Sequence, residues 1–266
     1  MRRAVLILAL FAAAARPAFA DDPLVRARAL YNQKQFEAAV TAAEEARVTP
    51  ARADAADLVA ARAYLERYRA SQISDDLTNA RDRLRRIDPQ RFPPRERMEY
   101  VVGLGETLYF DSAFGAAATV FDSVLQSREQ TAAEGRERVL DWWASALDHE
   151  AKPRPDMDRQ SVYIRIRSRM EEELAARPTS GTAAYWLAAA ARAQGDQQSA
   201  WDSAQAAWVR SALAGSDRGA ALRADIDRLV VRGIVPDRAR ATAQSPEILR
   251  AHWEQFKERW KLETRE

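Results

Sequence analysis

The chain has 266 residues, no cysteine, and 41 lysines and arginines against 39 aspartates and glutamates. Without cysteine, thiol catalysis, disulfide exchange and zinc–thiolate sites are excluded. A charge balance so close to zero leaves no electrostatic footprint for nucleic acid.

Residues 1–20 read as a cleavable targeting segment rather than as structure. Arg2 and Arg3 precede an apolar run from Ala4 to Ala15, Pro17 breaks it, and Ala18-Phe19-Ala20 supplies a small-x-small cleavage pattern before Asp21. The run is too short for a hydrocarbon core that needs about 20 residues. Asp21 stands where a lipid-anchored export product would carry cysteine. The leader holds Arg2, Arg3 and Arg16 and no acid, so the chain from Asp21 carries 38 basic residues against 39 acidic, a net of −1. The expected location is the periplasm or the exterior. No later apolar run is long enough to cross a membrane.

From Asp22 onward the sequence predicts helix almost throughout, being rich in alanine and free of sustained alternation. Breaks fall at Val48-Thr49-Pro50, Asp88-Pro89, Pro93-Pro94, Lys152–Pro155, Pro178–Gly181, Gly215-Ser216, Pro236-Asp237 and Ser245-Pro246. The most informative stretch is residues 101–128. Two helical patterns meet there at Asp111-Ser112, with Gly105 expected to face Ala117 so that the helix axes approach within 8–10 Å. Val101, Leu104, Leu108, Phe121 and Val124 supply the apolar contacts. Gly103-Leu104-Gly105 is no dinucleotide fingerprint, because no third glycine follows and no strand precedes it.

The same unit recurs. Ala27, Phe36, Ala39, Ala43, Ala46 and Pro50 repeat it near the amino end, and Leu187, Ala188, Ala191, Gly195, Ala200, Ala204 and Ala207 near the carboxyl end. Looser copies run from Asp54 to Pro89 and from Thr131 to Pro178. Laid together, these segments over about residues 23–212 resemble tetratricopeptide repeats (TPR), paired antiparallel helices of about 34 residues. The resemblance implies an all-α, right-handed superhelical solenoid over residues 21–214, with residues 215–266 as a capping helix pair. It implies a binding surface and no catalytic residue.

In that family the groove is lined by the first helix of each unit. The resemblance places Arg28, Tyr31 and Asn32, then Glu106, Tyr109 and Phe110, then Tyr185 and Arg192 on that face. Tyrosine, phenylalanine and arginine are the types that dominate protein contacts. The lysine/asparagine clamp for a terminal carboxylate is not visible at these positions. Trp142 and Trp143 are adjacent on a predicted helix and point about 100° apart, so one is expected between units and the other beneath the Lys152–Asp158 loop or open to a ligand.

Beyond the repeats, a predicted helix with the stripe Leu222, Ile226, Leu229 and Val230 ends near Gly233 and Pro236. Ser245 caps another, with Pro246 in its first turn and the stripe Ile248, Leu249, Trp253, Phe256 and Trp260. This last helix either closes the array or, through Trp253, Phe256 and Trp260, forms an aromatic docking face.

Chemistry is sparse. His149 and His252 are the only histidines and read as solvated helix-surface residues, with no His-Glu-x-x-His and no nucleophile elbow. Glu171-Glu172-Glu173 reads as a solvated face with Arg165, Arg167 and Arg169 as helix partners. No metal or cofactor is expected. The sequence thus predicts an exported TPR-like adaptor for a protein or peptide partner. The alternatives are an assembly factor docking or self-associating through its last helix, and a hydrolase or glycan-binding protein with an acid-lined pocket.

Overall fold

The computed structural model describes residues 22–127 and 133–261, and every regular element among them is helical. The leader and the start of the fourth expected unit at Thr131 lie outside the described residues. The helices are α1 (Pro23–Asn32), α2 (Phe36–Arg47), α3 (Ala53–Ser71), α4 (Ser74–Arg86), α5 (Pro94–Phe110), α6 (Phe114–Gln126), α7 (Ala133–Ala151), α8 (Asp156–Ala176), α9 (Gly181–Ala193), α10 (Gln197–Ser211), α11 (Ser216–Leu229), α12 (Val235–Thr242) and α13 (Pro246–Arg259). They pack in neighbouring pairs, as the repeat pattern predicts. No helix among the described residues is long and apolar enough to cross a membrane.

Short polar residues cap the starts of α1, α9, α10 and α13. The Asp22 carboxylate accepts from Leu24 N at 2.9 Å, Ser180 Oγ from Ala183 N at 3.1 Å and Asp196 Oδ1 from Ser199 N at 3.0 Å. Ser245 caps α13 over Pro246 as expected, accepting from Glu247 N at 3.2 Å.

One turn geometry occurs three times. Between α1 and α2, Lys34 sits at φ 61°, with Lys34 N donating to Tyr31 O and Gln35 N to Leu30 O. Between α5 and α6, Ser112 takes φ 61°, with bonds to Tyr109 O and, from Ala113 N, to Leu108 O. Between α9 and α10, Gly195 takes φ 79°, with bonds to Arg192 O and, from Asp196 N, to Ala191 O. Each is a Schellman closure with one left-handed residue two positions before the next helix. These three turns belong to the three copies the sequence pattern matches best.

Two local features differ from the sequence reading. A Cβ built on Gly105 would lie 2.5 Å from Phe121 Cε1, so the glycine makes room for the Phe121 ring rather than for Ala117. An aromatic edge against bare backbone needs more clearance than a methyl group, which is why this position is glycine. Pro236 also fails to end its helix. Val230–Ile234 forms a π turn, in which Val235 N bonds to Val230 O, and α12 continues to Ala243 at φ 52°. The wider turn takes up the proline, which has no N–H for the ordinary ladder.

The chain divides into two compact units, one ending at Glu96 and the other beginning at Arg97. In the first, Leu24, Ala27, Ala43, Ala46, Val59 and Ala60 form the α1–α3 core. Its buried Asp57 is held by Arg83 at 2.8 Å and Arg47 at 3.2 Å, with Glu44 completing the network through Arg83. The second unit has one core around Phe121, Leu140, Trp143, Ile166 and Met170, and another around Trp201, Ile226, Val230, Ile234 and Trp253.

Candidate functional site: an aromatic and acidic helix face

The second unit brings the faces of α5, α7, α9 and α11 together. On α7, Glu137, Asp141, Ser145 and Asp148 recur at three- and four-residue spacing and so share one side. Tyr109 of α5 bonds its hydroxyl to Ser145 Oγ at 2.8 Å, and its ring lies 4.6 Å from that of Trp142, edge-on. Phe110 meets Trp142 at 5.4 Å, and Phe114 completes the group at 5.3 Å from Tyr109. All are half-buried.

From α9, Trp186 Nε1 donates to Asp141 Oδ1 at 2.8 Å, and Thr182 N donates to Glu137 Oε2 at 3.2 Å. Arg218 of α11 reaches Thr182 Oγ1 at 3.2 Å and lies 3.9 Å from Glu137. Among the described residues, Asp141 has no cation within ion-pair distance and is exposed on the helix face. Desolvation raises the Asp141 carboxyl above its ordinary value; the Trp186 bond and Arg218 oppose this, and Asp225 and Glu137 add to it. The Tyr185 phenol is pushed up to about 12, first by desolvation and then by Asp225, Asp141 and Asp148. A tyrosinate there would meet negative potential from three carboxylates.

The other two carboxylates are already held. Asp148 accepts from Tyr163 Oη at 2.8 Å and pairs with Lys152 at 2.8 Å. Asp225 pairs with Arg228 at 2.9 Å. Of the three, Asp141 alone has no ion pair among the described residues.

The residues expected to line a groove divide between the two units. In the first, Arg28 is exposed and donates to Glu96 at 2.6 Å, Tyr31 packs on Phe36 at 5.6 Å beneath the Arg62 guanidinium, and Asn32 is exposed. In the second, Tyr109, Phe110 and Tyr185 lie in the face just described, and Glu106 is half-buried on α5. Arg192 is committed elsewhere: its Nε donates to Asp237 at 2.8 Å and its guanidinium covers Gly233.

Four further expectations change. His149 is half-buried and stacked on Phe114 at 4.6 Å, not solvated, because α7 turns it toward the aromatic group; His252 is exposed. Trp143 is buried in the core, and Trp142 joins the aromatic group instead of lying under the 152–158 loop. On α13, Trp253 is 0% exposed and Phe256 7%, packed against Trp201 and Trp208, while Trp260 is exposed. Two of the three residues of the expected docking face are therefore core. Glu173 likewise leaves the solvated face, being buried against Arg136 at 2.8 Å and Arg177 at 3.1 Å.

Sequence reasoning missed Asp141, Asp148, Asp225 and Trp186. Asp141 and Asp148 sit on the fourth unit, where the repeat pattern is weak, Asp225 on α11, which lies outside it, and Trp186 on α9 beside the residues that carry the repeat. The signal available was the recurrence of 137, 141, 145 and 148 along α7. No group of three or more histidines, aspartates or glutamates suited to a metal occurs among the described residues. No protein-family model matches the chain, and a search of the curated proteins finds no match.

Proposed function

We propose that this protein is an exported, TPR-like helical scaffold that binds a protein or peptide segment and carries out no chemistry of its own. Its helix pairs form a right-handed solenoid closed by α11–α13. The observation that carries the reading is the half-buried row of Tyr109, Trp142 and Tyr185 along the first helices of successive pairs, beside polar groups set to fix orientation. Large aromatic surfaces with polar tips are what recurrent protein contacts use. Hydrolysis by paired carboxylates is less well supported, because Asp148 and Asp225 are both engaged and one unheld carboxylate is not two. Docking through α13 has less support for the same kind of reason, since Trp253 is core.

Capture of partners from an envelope extract, followed by crosslinking, tests the reading. Tyr109→Ala and Tyr185→Ala are expected to weaken capture, each by roughly tenfold, the scale of a contact hot spot. Capture unchanged in the double variant, with the fold intact by circular dichroism, would overturn it.

A further inference from the structure

A short helix that buries little and is strained at both ends is the kind of element that opens by itself. We propose that residues 235–244 form a strap over α10 that opens without unfolding the rest of the second unit, and that the grip of Arg192 on α12 holds it shut.

Of the eight residues of α12, only Val235 and Ala239 are buried. Its entry is the π turn at Val230–Ile234, and its exit is Ala243 at φ 52°, a left-handed conformation that costs any residue with a Cβ. Much of what docks the helix is polar. Arg192 of α9 lays its guanidinium on the bare backbone of Gly233, where a Cβ would lie 2.6 Å from Nε. The same Nε donates to Asp237 at 2.8 Å, so the guanidinium cannot leave Gly233 without breaking that bond. Arg238 donates to Gln197 O at 3.3 Å and Gln198 Oε1 at 3.0 Å, and covers the Trp201 ring at 5.4 Å. This second grip is incomplete. Arg238 Nε and Gln197 Oε1 are buried with no hydrogen-bond partner among the described residues, a cost that opening relieves. The anchors on either side are core: Ile234 at the entry, Leu249 and Trp253 beyond the exit. The segment therefore lifts as a strap tethered at both ends. Opening uncovers Trp201 and frees Arg192, which lies two turns from Tyr185 on the same side of α9.

Hydrogen exchange of the full chain, read by mass spectrometry, tests the strap. In the parent, amides of residues 237–243 are expected to exchange at least about tenfold faster than those of 249–256. Arg192→Met keeps the stem and loses the head, and should speed 237–243 roughly tenfold further while leaving 249–256 unchanged. Raising salt from about 50 mM to about 500 mM should speed the same segment in the parent and not in this variant. Ala243→Gly relieves the left-handed residue and should slow the segment about threefold. Asp237→Asn removes the charge from the other side of the latch and repeats the test if the Arg192 variant does not fold. Residues 237–243 and 249–256 exchanging at one rate in the parent, or speeding equally in the variants, would mean that α12 opens only with the whole unit and would overturn the proposal.

Discussion

At the scale of single residues, the three Schellman turns make a direct comparison possible, because the chain solves one backbone problem with Lys34, Ser112 and Gly195. A residue with a Cβ at positive φ carries a steric cost that glycine avoids. Ser112→Gly is therefore expected to stabilise the second unit by about 0.5–1 kcal/mol, and Gly195→Ala to destabilise it by about 1 kcal/mol, both read from urea midpoints. Gly105 answers a different demand. Its missing Cβ is the space filled by Phe121, so Gly105→Ala is expected to cost about 1–3 kcal/mol although alanine favours helix. Opposite outcomes at positions 112 and 105, both changes exchanging hydrogen for a larger group or the reverse, would separate backbone strain from packing.

Glu173 shows how charge works inside this core. Burial pushes its carboxyl up, but bonds from Arg136 and attraction by Arg136 and Arg177 outweigh that and leave it below the ordinary glutamate range. A carboxyl lowered on folding contributes stability that is fully present above its unfolded value, about 4.3, and is lost as pH falls through its folded value. The cost of Glu173→Gln should then be largest near neutrality and shrink below about pH 4, as thermal midpoints across pH would show. A cost that does not vary with pH would mean that shape, not charge, holds Arg136.

Among the elements, α13 separates what periodicity reveals from what it conceals. The stripe Leu249, Trp253 and Phe256 and the Ser245-Pro246 start were legible in the sequence and are found as read. Whether the stripe faces inward was not legible, because an apolar stripe looks alike against a core or against a partner. Burial decides it: Trp253 packs against Trp201 and Trp208 at 6.0 and 5.6 Å, and its Nε1 donates to Asp227 at 2.9 Å. Trp253→Ala is expected to cost about 3–5 kcal/mol and Trp260→Ala less than about 0.5 kcal/mol, measured by denaturant unfolding. The π turn was illegible for a related reason. Proline in the first turn of a helix and proline ending one share the same local sequence, and only the packing of Ile234 and Val235 into the core keeps the helix running. The acidic face escaped because it is assembled from α7, α9 and α11, whose spacing along the chain carries no trace of their meeting.

For the whole molecule, a chain without cysteine relies on packing, and the buried alanines of both units show how it does so: methyl groups at helix crossings let backbones approach closely. Reductant should leave the thermal midpoint unmoved. The leader has a sharper consequence. If Ala18-Phe19-Ala20 is the cleavage site, protein recovered from the envelope begins at Asp21 by mass spectrometry, and Ala20→Leu leaves the precursor uncut, since the site accepts only small residues. Cleavage there would also remove three arginines and turn a net charge of +2 into −1. A protein that keeps Met1 and stays in the cytosol would remove the envelope from the proposed function and leave the aromatic face to bind its partner elsewhere.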